Sequence, residues 1–357
     1  MNKNMSSDSK QRITNLDYLR GLAAFSIMVY HYTSWQTVSY NADSILGRLG
    51  YYGVSIFYVL SGLTLYHVYG KNMTPNREQL TAFYIKRIFR IFPLLWLATI
   101  ATLVLNKSFP DLNILFMNLT GLFGLYSFDS NIAAGAWSIG NELVFYLFFP
   151  VFVYLGNKNN ALLLSLGAIL LFVYGYFAFA VIPNVSVIQS WHHYVNPLNQ
   201  VLLFFCGFAI GKFSQRLHLN NLSLWILICV CIAGFVLWPV EGDRLLLITG
   251  SQRMFFSFVC IAACLAVYKM QINLPRLIMR PLSWLGEASY SVYLLHPLVW
   301  GAMLFLSNRL IGRNIEGALF TILAILITVL MSMFSYRYLE LPLMKVGKNI
   351  SARFSRT

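Results

Sequence analysis

The sequence predicts an all-α, polytopic membrane protein with about ten transmembrane helices and both termini in the cytoplasm. Hydrophobic residues make up 58% of the 357-residue chain and charged residues only 11%, whereas a soluble domain carries about 25% charged residues. Apolar runs long enough to cross a bilayer recur from one end of the chain to the other. The basic residues gather in alternate loops between these runs, which is the pattern that orients a membrane protein.

We predict ten spans from the apolar runs. The first run contains Asp17 and Arg20, and no small-residue cleavage site follows it, so it should remain as a membrane anchor. The segment 112–127 is apolar but contains Gly121 and Gly124, which favours a re-entrant or interfacial piece over an eleventh span. The predicted spans are approximately 15–35, 49–70, 88–106, 137–155, 161–182, 197–214, 222–240, 245–268, 284–306 and 317–338.

The chain is predicted to have three parts: a disordered cytoplasmic tail over 1–12, a transmembrane domain over 13–345 and a basic cytoplasmic tail over 346–357. Orientation follows from the 26 lysines and arginines. Nineteen lie in the segments that this topology places in the cytoplasm, two lie within spans, and five lie in external loops: Arg48, Lys107, Arg244, Arg309 and Arg313. Such a bias places both termini inside the cell.

The net charge of +14 therefore reflects membrane orientation, and we predict membrane lipids as surroundings and no nucleic-acid partner. The five cysteines all lie in apolar runs and form no CxxC pattern. Neither a metal site nor a structural disulfide is expected.

The first span, LDYLRGLAAFSIMVYHY, carries three ionisable residues, Asp17, Arg20 and His31. Arg20 and His31 are eleven residues apart, which on a helix is a net rotation of about 20° and a rise of about 16 Å. Asp17 can pair with Arg20 one turn later. Ala24 and Met28 lie between them, so we expect an open groove from a cation near the cytoplasmic surface to an imidazole deeper inside. Intramembrane ionisable groups usually mark a site or a pathway.

Six motifs in order give the chain a resemblance to the acyltransferase-3 family of integral membrane O-acyltransferases. They are LDYLRGLAAFSIMVYHY at 16–32, GVSIFYVLSG at 53–62, FYIKRIFRIFPLLW at 83–96, WSIGNELVFYLFFP at 137–150, SYSVYLLHPL at 289–298 and YLELP at 338–342. The third motif holds the family's RxxR element as Arg87 and Arg90, and the fourth holds its acidic residue as Glu142. Some members carry an extra C-terminal hydrolase-like domain, and we do not expect one here.

The resemblance implies transfer of an acyl group, often acetyl, from cytoplasmic coenzyme A to a hydroxyl of a carbohydrate or another acceptor. Acetyl-CoA is then the donor substrate, and a cell-surface polysaccharide or its lipid-linked precursor is the acceptor, in the cytoplasmic (inner) membrane. Coenzyme A is an anion on a long arm, which suits cations at the cytoplasmic surface and a catalytic group further in. We assign Arg20, Arg87 and Arg90 to acyl-CoA binding, since guanidinium groups bind phosphates in a bidentate manner.

His31 is the predicted general base, because an imidazole with its ordinary pKa of about 6.5 exchanges protons near neutral pH. Direct transfer in a ternary complex is the first hypothesis, and a covalent acyl-histidine intermediate stays open. Glu142 is expected either to orient the imidazole or to bind the acceptor. Asp17, Ser61, Trp137 and His296 are predicted to contact the acceptor or to support the site.

Several of these residues also have plain structural interpretations. His296 precedes Pro297, and a proline inside a helix frees a backbone carbonyl that a polar side chain can satisfy. Ser61 belongs to a set of small residues on span two that permits close packing against span one. Arg253 has no evident partner and is assigned, as a guess, to a phosphate of a lipid carrier.

The external loop at 183–197 carries Trp191, His192, His193 and Tyr194. Its aromatic rings suit either a carbohydrate or a membrane-interface belt.

A transporter or flippase of a glycolipid, with a proton relay through His31, Glu142 and Arg253, is the main alternative function. Transporters often show internal duplication, and no second copy of the first or third motif is present. A glycan polymerase is a weaker alternative, because we expect it to need large external loops.

Overall fold

The computed structural model describes residues 14–36, 40–71, 73–185, 187–272, 274–313 and 315–354. The predicted tail over 1–12 lies outside these residues. No strand occurs in the part of the chain just defined, so the all-α prediction is confirmed. The helices, numbered in chain order, are α1 Thr14–Ser34, α2 Ile45–Leu65, α3 Arg77–Asn106, α4 Leu112–Thr120, α5 Phe123–Tyr126, α6 Trp137–Lys158, α7 Asn160–Tyr176, α8 Val187–Tyr194, α9 Pro197–Phe213, α10 Asn221–Leu237, α11 Gly250–Lys269, α12 Arg276–Glu287, α13 Ser289–Ile311, α14 Ala318–Ser335 and α15 Leu341–Phe354.

Helical segments matching eight of the ten predicted spans are long and apolar enough to cross a membrane. Among the described residues these are Ile45–Gly70, Arg77–Asn106, Trp137–Lys158, Asn160–Asn184, Gln189–Arg216, Gly250–Lys269, Ser289–Ile311 and Ala318–Phe354. The other two predicted spans are also helices: α1, which carries Asp17 and Arg20, and α10, which has 17 residues. The protein is therefore a multi-pass helical membrane protein.

Segment 112–127 is not an eleventh span. It forms α4, of nine residues, and α5, of four residues, and both are too short to cross a bilayer. Gly121 ends α4 in the left-handed conformation with φ +77°, which glycine adopts without steric cost. This segment packs beside the start of α6, where a Cβ added at Gly124 would meet the Gly140 carbonyl oxygen at 2.4 Å.

Capping side chains set several helix starts. Ser44, Asn76, Asn196 and Asn220 each accept a hydrogen bond from a backbone N–H in the first turn of the helix that follows, which satisfies one of the otherwise free donors. The segment 341–354 is helical as α15. Its first residues fall in the predicted transmembrane domain. The helices α2, α7 and α14 each continue into a π-helical turn, at Tyr66–Gly70, Phe177–Val181 and Tyr336–Glu340.

Small residues on α2 allow two helices to pack closely against it. One of these helices is span one, as predicted, and the other is not. A Cβ at Gly53 would contact Ile27 of α1 at 2.6 Å. Gly62 instead faces α9, where a Cβ would lie 1.9 Å from the Phe204 carbonyl oxygen. Gly207 of α9 faces α2 in turn, because a Cβ there would lie 1.9 Å from the Val59 carbonyl oxygen. The backbones of α2 and α9 therefore touch, as small residues allow in membrane helices.

Arg48, counted above as an external-loop residue, lies buried in the first turn of α2 and fixes the end of α10. Its guanidinium donates to the carbonyl oxygens of Phe235 at 2.7 Å, Val236 at 3.0 Å and Trp238 at 2.9 Å, and its Nε donates to that of Ala42 at 2.9 Å. A cation at these carbonyls also complements the helix dipole.

Gly62→Ala should lower the thermal midpoint of the detergent-solubilised protein by about 1–4 °C, because overpacking costs about 1–3 kcal/mol. Gly301→Ala is the matched control, since nothing lies within 4 Å of a Cβ at that helical position. Thermal scanning of the two variants and the wild type checks this expectation. Equal midpoints for both variants would contradict the close contact of α2 and α9.

Candidate active site

His31 lies in the last turn of α1, near the end of the helix that is further from Arg20. Its Nδ1 is 2.9 Å from Nε2 of His296 on α13, and the two rings are nearly coplanar, with centroids 5.0 Å apart and an angle of 8° between them. The Trp35 ring is nearly parallel to both, with its centroid 5.2 Å from that of His31 and 6.1 Å from that of His296. The imidazole is thus fixed by an indole and a second imidazole.

His296 sets the tautomer of His31. Its side chain is fully buried, and its Nδ1 lies 3.2 Å from the Val292 carbonyl oxygen. A carbonyl only accepts, so Nδ1 of His296 carries the proton and Nε2 accepts from Nδ1 of His31. In the neutral pair, the lone pair of His31 is then left on Nε2. The sequence interpretation of His296 as a support residue agrees with this contact.

Tyr32, the neighbour of His31, holds α1 against α13 and α14. Its hydroxyl donates to the His296 carbonyl oxygen at 2.8 Å and lies 2.6 Å from Thr328 Oγ1. The Tyr32 side chain is fully buried. Because the Tyr32 hydroxyl donates to the backbone carbonyl of His296 itself, it holds α1 and α13 in the positions at which the two histidine rings meet.

His31 opens into a cavity of roughly 530 Å³, called here the histidine cavity. Its wall combines aromatic rings from five helices with a short turn after α10, and this turn supplies one cation, Arg244. The lining residues are Tyr30, His31, Ser34, Trp35, Gly50, Tyr51, Val54, Trp137, Ser190, Trp191, Tyr194, Arg244, Leu245, Ile248 and Tyr293. Aromatic walls with a few polar groups are typical of ligand sites.

A second cavity, the arginine cavity, holds the three predicted donor-binding arginines. It is narrow, at about 80 Å³. Its lining residues are Arg20, Val54, Phe57, Tyr58, Ser61, Thr64, Leu65, Arg87, Arg90, Ile91, Ser138, Ile139, Glu142, Tyr146, Ser289, Tyr290 and Tyr293. Three guanidinium groups face one carboxylate in this lining, so the cavity favours an anion.

Glu142 is bonded inside the arginine cavity and does not orient His31. Ser61 Oγ donates to its Oε1 at 2.5 Å, and the Tyr146 hydroxyl donates to the same oxygen. The prediction that Glu142 orients the imidazole is therefore wrong, because His296 makes that contact. Whether Glu142 acts in catalysis stays a prediction.

The arginines are held differently within this cavity. Arg20 Nη1 lies 3.6 Å from Asp17 Oδ1, as the spacing suggested, and its Nη2 donates to Thr64 Oγ1 at 3.1 Å. The Arg87 guanidinium lies over three aromatic rings at 5.6 to 5.9 Å. Within the described chain, Nε of Arg87 is buried and has no hydrogen-bond partner. A buried cationic donor without an acceptor is costly, so this nitrogen is available for an oxyanion.

Val54 and Tyr293 line both cavities and form the wall between them. Tyr293 is fixed from the α6 side: Ser138 Oγ donates to its hydroxyl at 2.8 Å, and that hydroxyl donates to the Gly135 carbonyl oxygen at 3.1 Å. Trp137, adjacent to Ser138, lines the histidine cavity. The first turn of α6 therefore contributes to both cavities.

The expected groove along α1 through Ala24 and Met28 is absent. Both residues are fully buried in a hydrophobic cluster with Val292 and Phe320 from α13 and α14. At about 100° per residue, Ala24 and Met28 are rotated by roughly 40° and 80° away from Arg20, which turns them towards those helices. The two cavities meet instead beside α2, at Val54.

Arg253 is not available to a lipid carrier, so that assignment is wrong. Its side chain is fully buried, its Nη2 donates to Asn199 Oδ1 at 2.6 Å, and its guanidinium lies 4.1 Å over the Tyr174 ring. The predicted loop at 183–197 is largely helical, as α8. Trp191 and Tyr194 from it line the histidine cavity, whereas His192 Nδ1 lies 2.9 Å from Asp129 Oδ2.

Sequence reasoning missed four groups of this site: Trp35, Tyr146, Tyr293 and Arg244. Trp35 and Tyr146 each follow a predicted catalytic residue by four positions, so helical spacing could have found them. Tyr293 stands within a quoted motif. Arg244 was counted only as an external charge. No group of three or more His, Cys, Asp and Glu side chains suited to a metal ion occurs among the residues with described coordinates.

Residues 13–337 match the acyltransferase domain that defines the acyltransferase-3 family. Among curated proteins, O-acetyltransferase OatA of Staphylococcus aureus is 24% identical over 367 residues, covering 95% of this chain and 58% of OatA. Putative peptidoglycan O-acetyltransferase YrhL of Bacillus subtilis is 24% identical, covering 94% and 55%. Putative acetyltransferase ORF330 of Acidianus two-tailed virus is 26% identical, covering 79% and 81%.

The chain thus spans little more than half the length of OatA and YrhL. No solved structure matches it. The family match covers more than nine-tenths of the chain and includes all six motifs but the last, YLELP. On this evidence the chain is a member of the acyltransferase-3 family of integral membrane proteins.

Proposed function

We propose that the protein is a membrane O-acetyltransferase that moves an acetyl group from cytoplasmic acetyl-CoA to a hydroxyl of a cell-surface polysaccharide or its lipid-linked precursor. The observation that carries the proposal is the pair of cavities that meet at Val54 and Tyr293. One presents three arginines and the other an imidazole with a free nitrogen. This layout suits an anionic donor and a hydroxyl acceptor that approach from opposite faces.

The names of two relatives support the reaction and the acceptor class. OatA is called an O-acetyltransferase and YrhL a putative peptidoglycan O-acetyltransferase. We extend acetyl transfer to a cell-envelope glycan to this chain. The charge bias of the loops supports a multi-pass protein of the cytoplasmic (inner) membrane with both termini in the cytoplasm, so that the arginine cavity opens towards the cytoplasm.

The donor is proposed to bind along α3. The arginine cavity is too narrow for a nucleotide, but its width suits the thin arm that ends in the thioester. A groove of roughly 490 Å³ lined by Tyr69, Phe83 and Lys86 adjoins it. Arg87 lies over the rings of Tyr69 and Phe83 and so separates groove from cavity. We place the nucleotide in the groove and a phosphate oxygen at the free Nε of Arg87.

The chemistry that we propose starts with an acceptor hydroxyl in the histidine cavity. His31 Nε2 takes its proton, the oxygen attacks the thioester carbonyl, the new C–O bond forms and the C–S bond breaks. The coenzyme A thiolate then receives the proton from His31. His296 acts as a positioning residue, because it accepts from Nδ1 of His31 and favours the tautomer in which Nε2 is the base.

His31→Ala should lower acetyl transfer by at least about 100-fold, since a general base contributes about 10² to 10⁴. The assay gives the purified protein labelled acetyl-CoA and a glycan acceptor and measures labelled ester. His192→Ala is the control, because His192 is exposed and pairs with Asp129. Acceptor carried across vesicles without ester formation would contradict the proposal and favour the transporter.

His296→Ala should lower kcat on the order of tenfold to 100-fold while KM for the donor stays within about twofold. His296→Gln should restore part of kcat, because an amide oxygen can accept from Nδ1 of His31. Steady-state kinetics of both variants at matched folded fraction provide the measurement. A rise in KM with an unchanged kcat in the His296→Ala variant would mean that His296 only supports the fold.

Ser61→Cys and His31→Cys should react with a membrane-impermeant thiosulfonate from opposite sides of the membrane, because the two positions line different cavities. The variants are made with the five native cysteines replaced and probed in right-side-out and inverted vesicles. Leu60→Cys, at a fully buried position on α2, is the unreactive control. Labelling of both cysteines from the same side would refute the two-sided arrangement.

A further inference from the structure

Arg244 is a cation at the histidine cavity that the proposed chemistry leaves without a task. It begins the short 3-10 turn Arg244–Ile248 between α10 and α11, and Leu245 and Ile248 of the same turn also line the cavity. Its side chain is exposed, on the side of the protein where α1 ends. Unlike Arg48 and Arg253, it is not enclosed by protein groups.

The guanidinium of Arg244 stands close to the proposed base. It interacts electrostatically with the Tyr30 hydroxyl, and the Tyr30 ring centroid is 5.2 Å from that of His31. No carboxylate of the described chain lies within 4 Å of its nitrogens. The neighbouring Asp243 uses Oδ1 to accept from the Leu245 N–H at 2.7 Å.

The rest of the wall suits a sugar ring. Trp137 and Trp191 meet edge to face at 5.5 Å, and Tyr194 lies 5.7 and 5.8 Å from them. Aromatic faces pack against apolar surface while their polar edges accept or donate hydrogen bonds. Apart from His31, Arg244 is the one ionisable cation among the described lining residues, and that lining includes no carboxylate.

We infer that the acceptor carries an oxyanion, which Arg244 binds while the aromatic rings hold the sugar and His31 faces the hydroxyl to be acetylated. The oxyanion is either the carboxylate of an acidic sugar or a phosphate of a lipid carrier, and both match a guanidinium in a bidentate manner. This inference rests on the proposed function, because it names the class of its acceptor.

The two anion sites, one on each side of the wall, also distinguish the donor from the acceptor. Arg20, Arg87 and Arg90 serve the donor phosphates, and Arg244 serves the acceptor. A neutral glycan would cover the Arg244 guanidinium without pairing its charge, which costs binding energy. The charge on the acceptor then determines the orientation of its ring and so the position that is acetylated.

The test measures binding separately from acetyl transfer. The full-length protein in detergent is titrated with a short oligomer of galacturonic acid or with its carboxyl-reduced neutral counterpart. A second pair of probes is a polyprenyl diphosphate and the polyprenyl alcohol of equal length. Quenching of the tryptophans, three of which (Trp35, Trp137 and Trp191) line the cavity, reports occupancy. Ester formation with acetyl-CoA is followed in parallel.

At least one charged probe should bind about tenfold tighter than its neutral match, and the pair that shows this preference identifies the source of the oxyanion. Arg244→Gln should reduce the preference to twofold or less, and Arg244→Lys to an intermediate value, because a lysine lacks the guanidinium fork. Arg309→Gln, which removes an external cation away from the cavity, should bind like the wild type. If Arg244→Gln does not fold, the Lys variant carries the test.

Equal binding of the charged and neutral members in both pairs, or a preference that survives Arg244→Gln or is unchanged in Arg244→Lys, would overturn the inference. The polyprenyl diphosphate has no alcohol group and reports binding only. A charge preference for the galacturonic acid oligomer without any ester would contradict the proposed function and keep the oxyanion site. If charged and neutral acceptors were bound and acetylated equally well, the inference would be wrong and the proposed function would stand.

Discussion

The hydrocarbon core of a bilayer offers no partner to a charged side chain, and this constraint decides where the ionisable residues of this protein lie. Two kinds of cation result. Arg48 and Arg253 are bonded to carbonyl and amide oxygens of the protein and stabilise helix contacts. Arg87 instead turns towards a cavity and keeps one buried donor free. The difference separates cations that hold the fold from cations that await a ligand, and both kinds look alike in the sequence.

The sequence predicted the helices and the shared face of Arg87 and Arg90, because both depend on local signals. Apolar runs of membrane length define spans, and the i, i+3 spacing of Arg87 and Arg90 predicts one shared face. Ser61 and Glu142, from different spans, also meet in the arginine cavity. The family motifs had already grouped these residues, although their roles remain predictions.

Contacts between helices distant in sequence could not be predicted in the same way. His31 and His296 are separated by 265 residues, and no spacing rule connects them, so Glu142 was wrongly expected to orient the imidazole. The predicted groove past Ala24 and Met28 was wrong for a related reason. A rotation of some tens of degrees decides whether a helix face contacts a neighbouring helix or lines a cavity. Gly62 showed how tightly span two could pack, but the identity of its partner, α9, required the structure.

The wall formed by Val54 and Tyr293 has a consequence for the cell as well as for the reaction. A protein that admits one substrate from each face is close to being a pore, and a continuous file of water through it would let protons run down the electrical gradient. The hydroxyl of Tyr293, tied to Ser138 and Gly135, keeps the two water-accessible spaces apart. In the reaction that we propose, an acetyl group needs only a passage for two carbons and an oxygen, so that the chain would exchange matter between compartments and still insulate them.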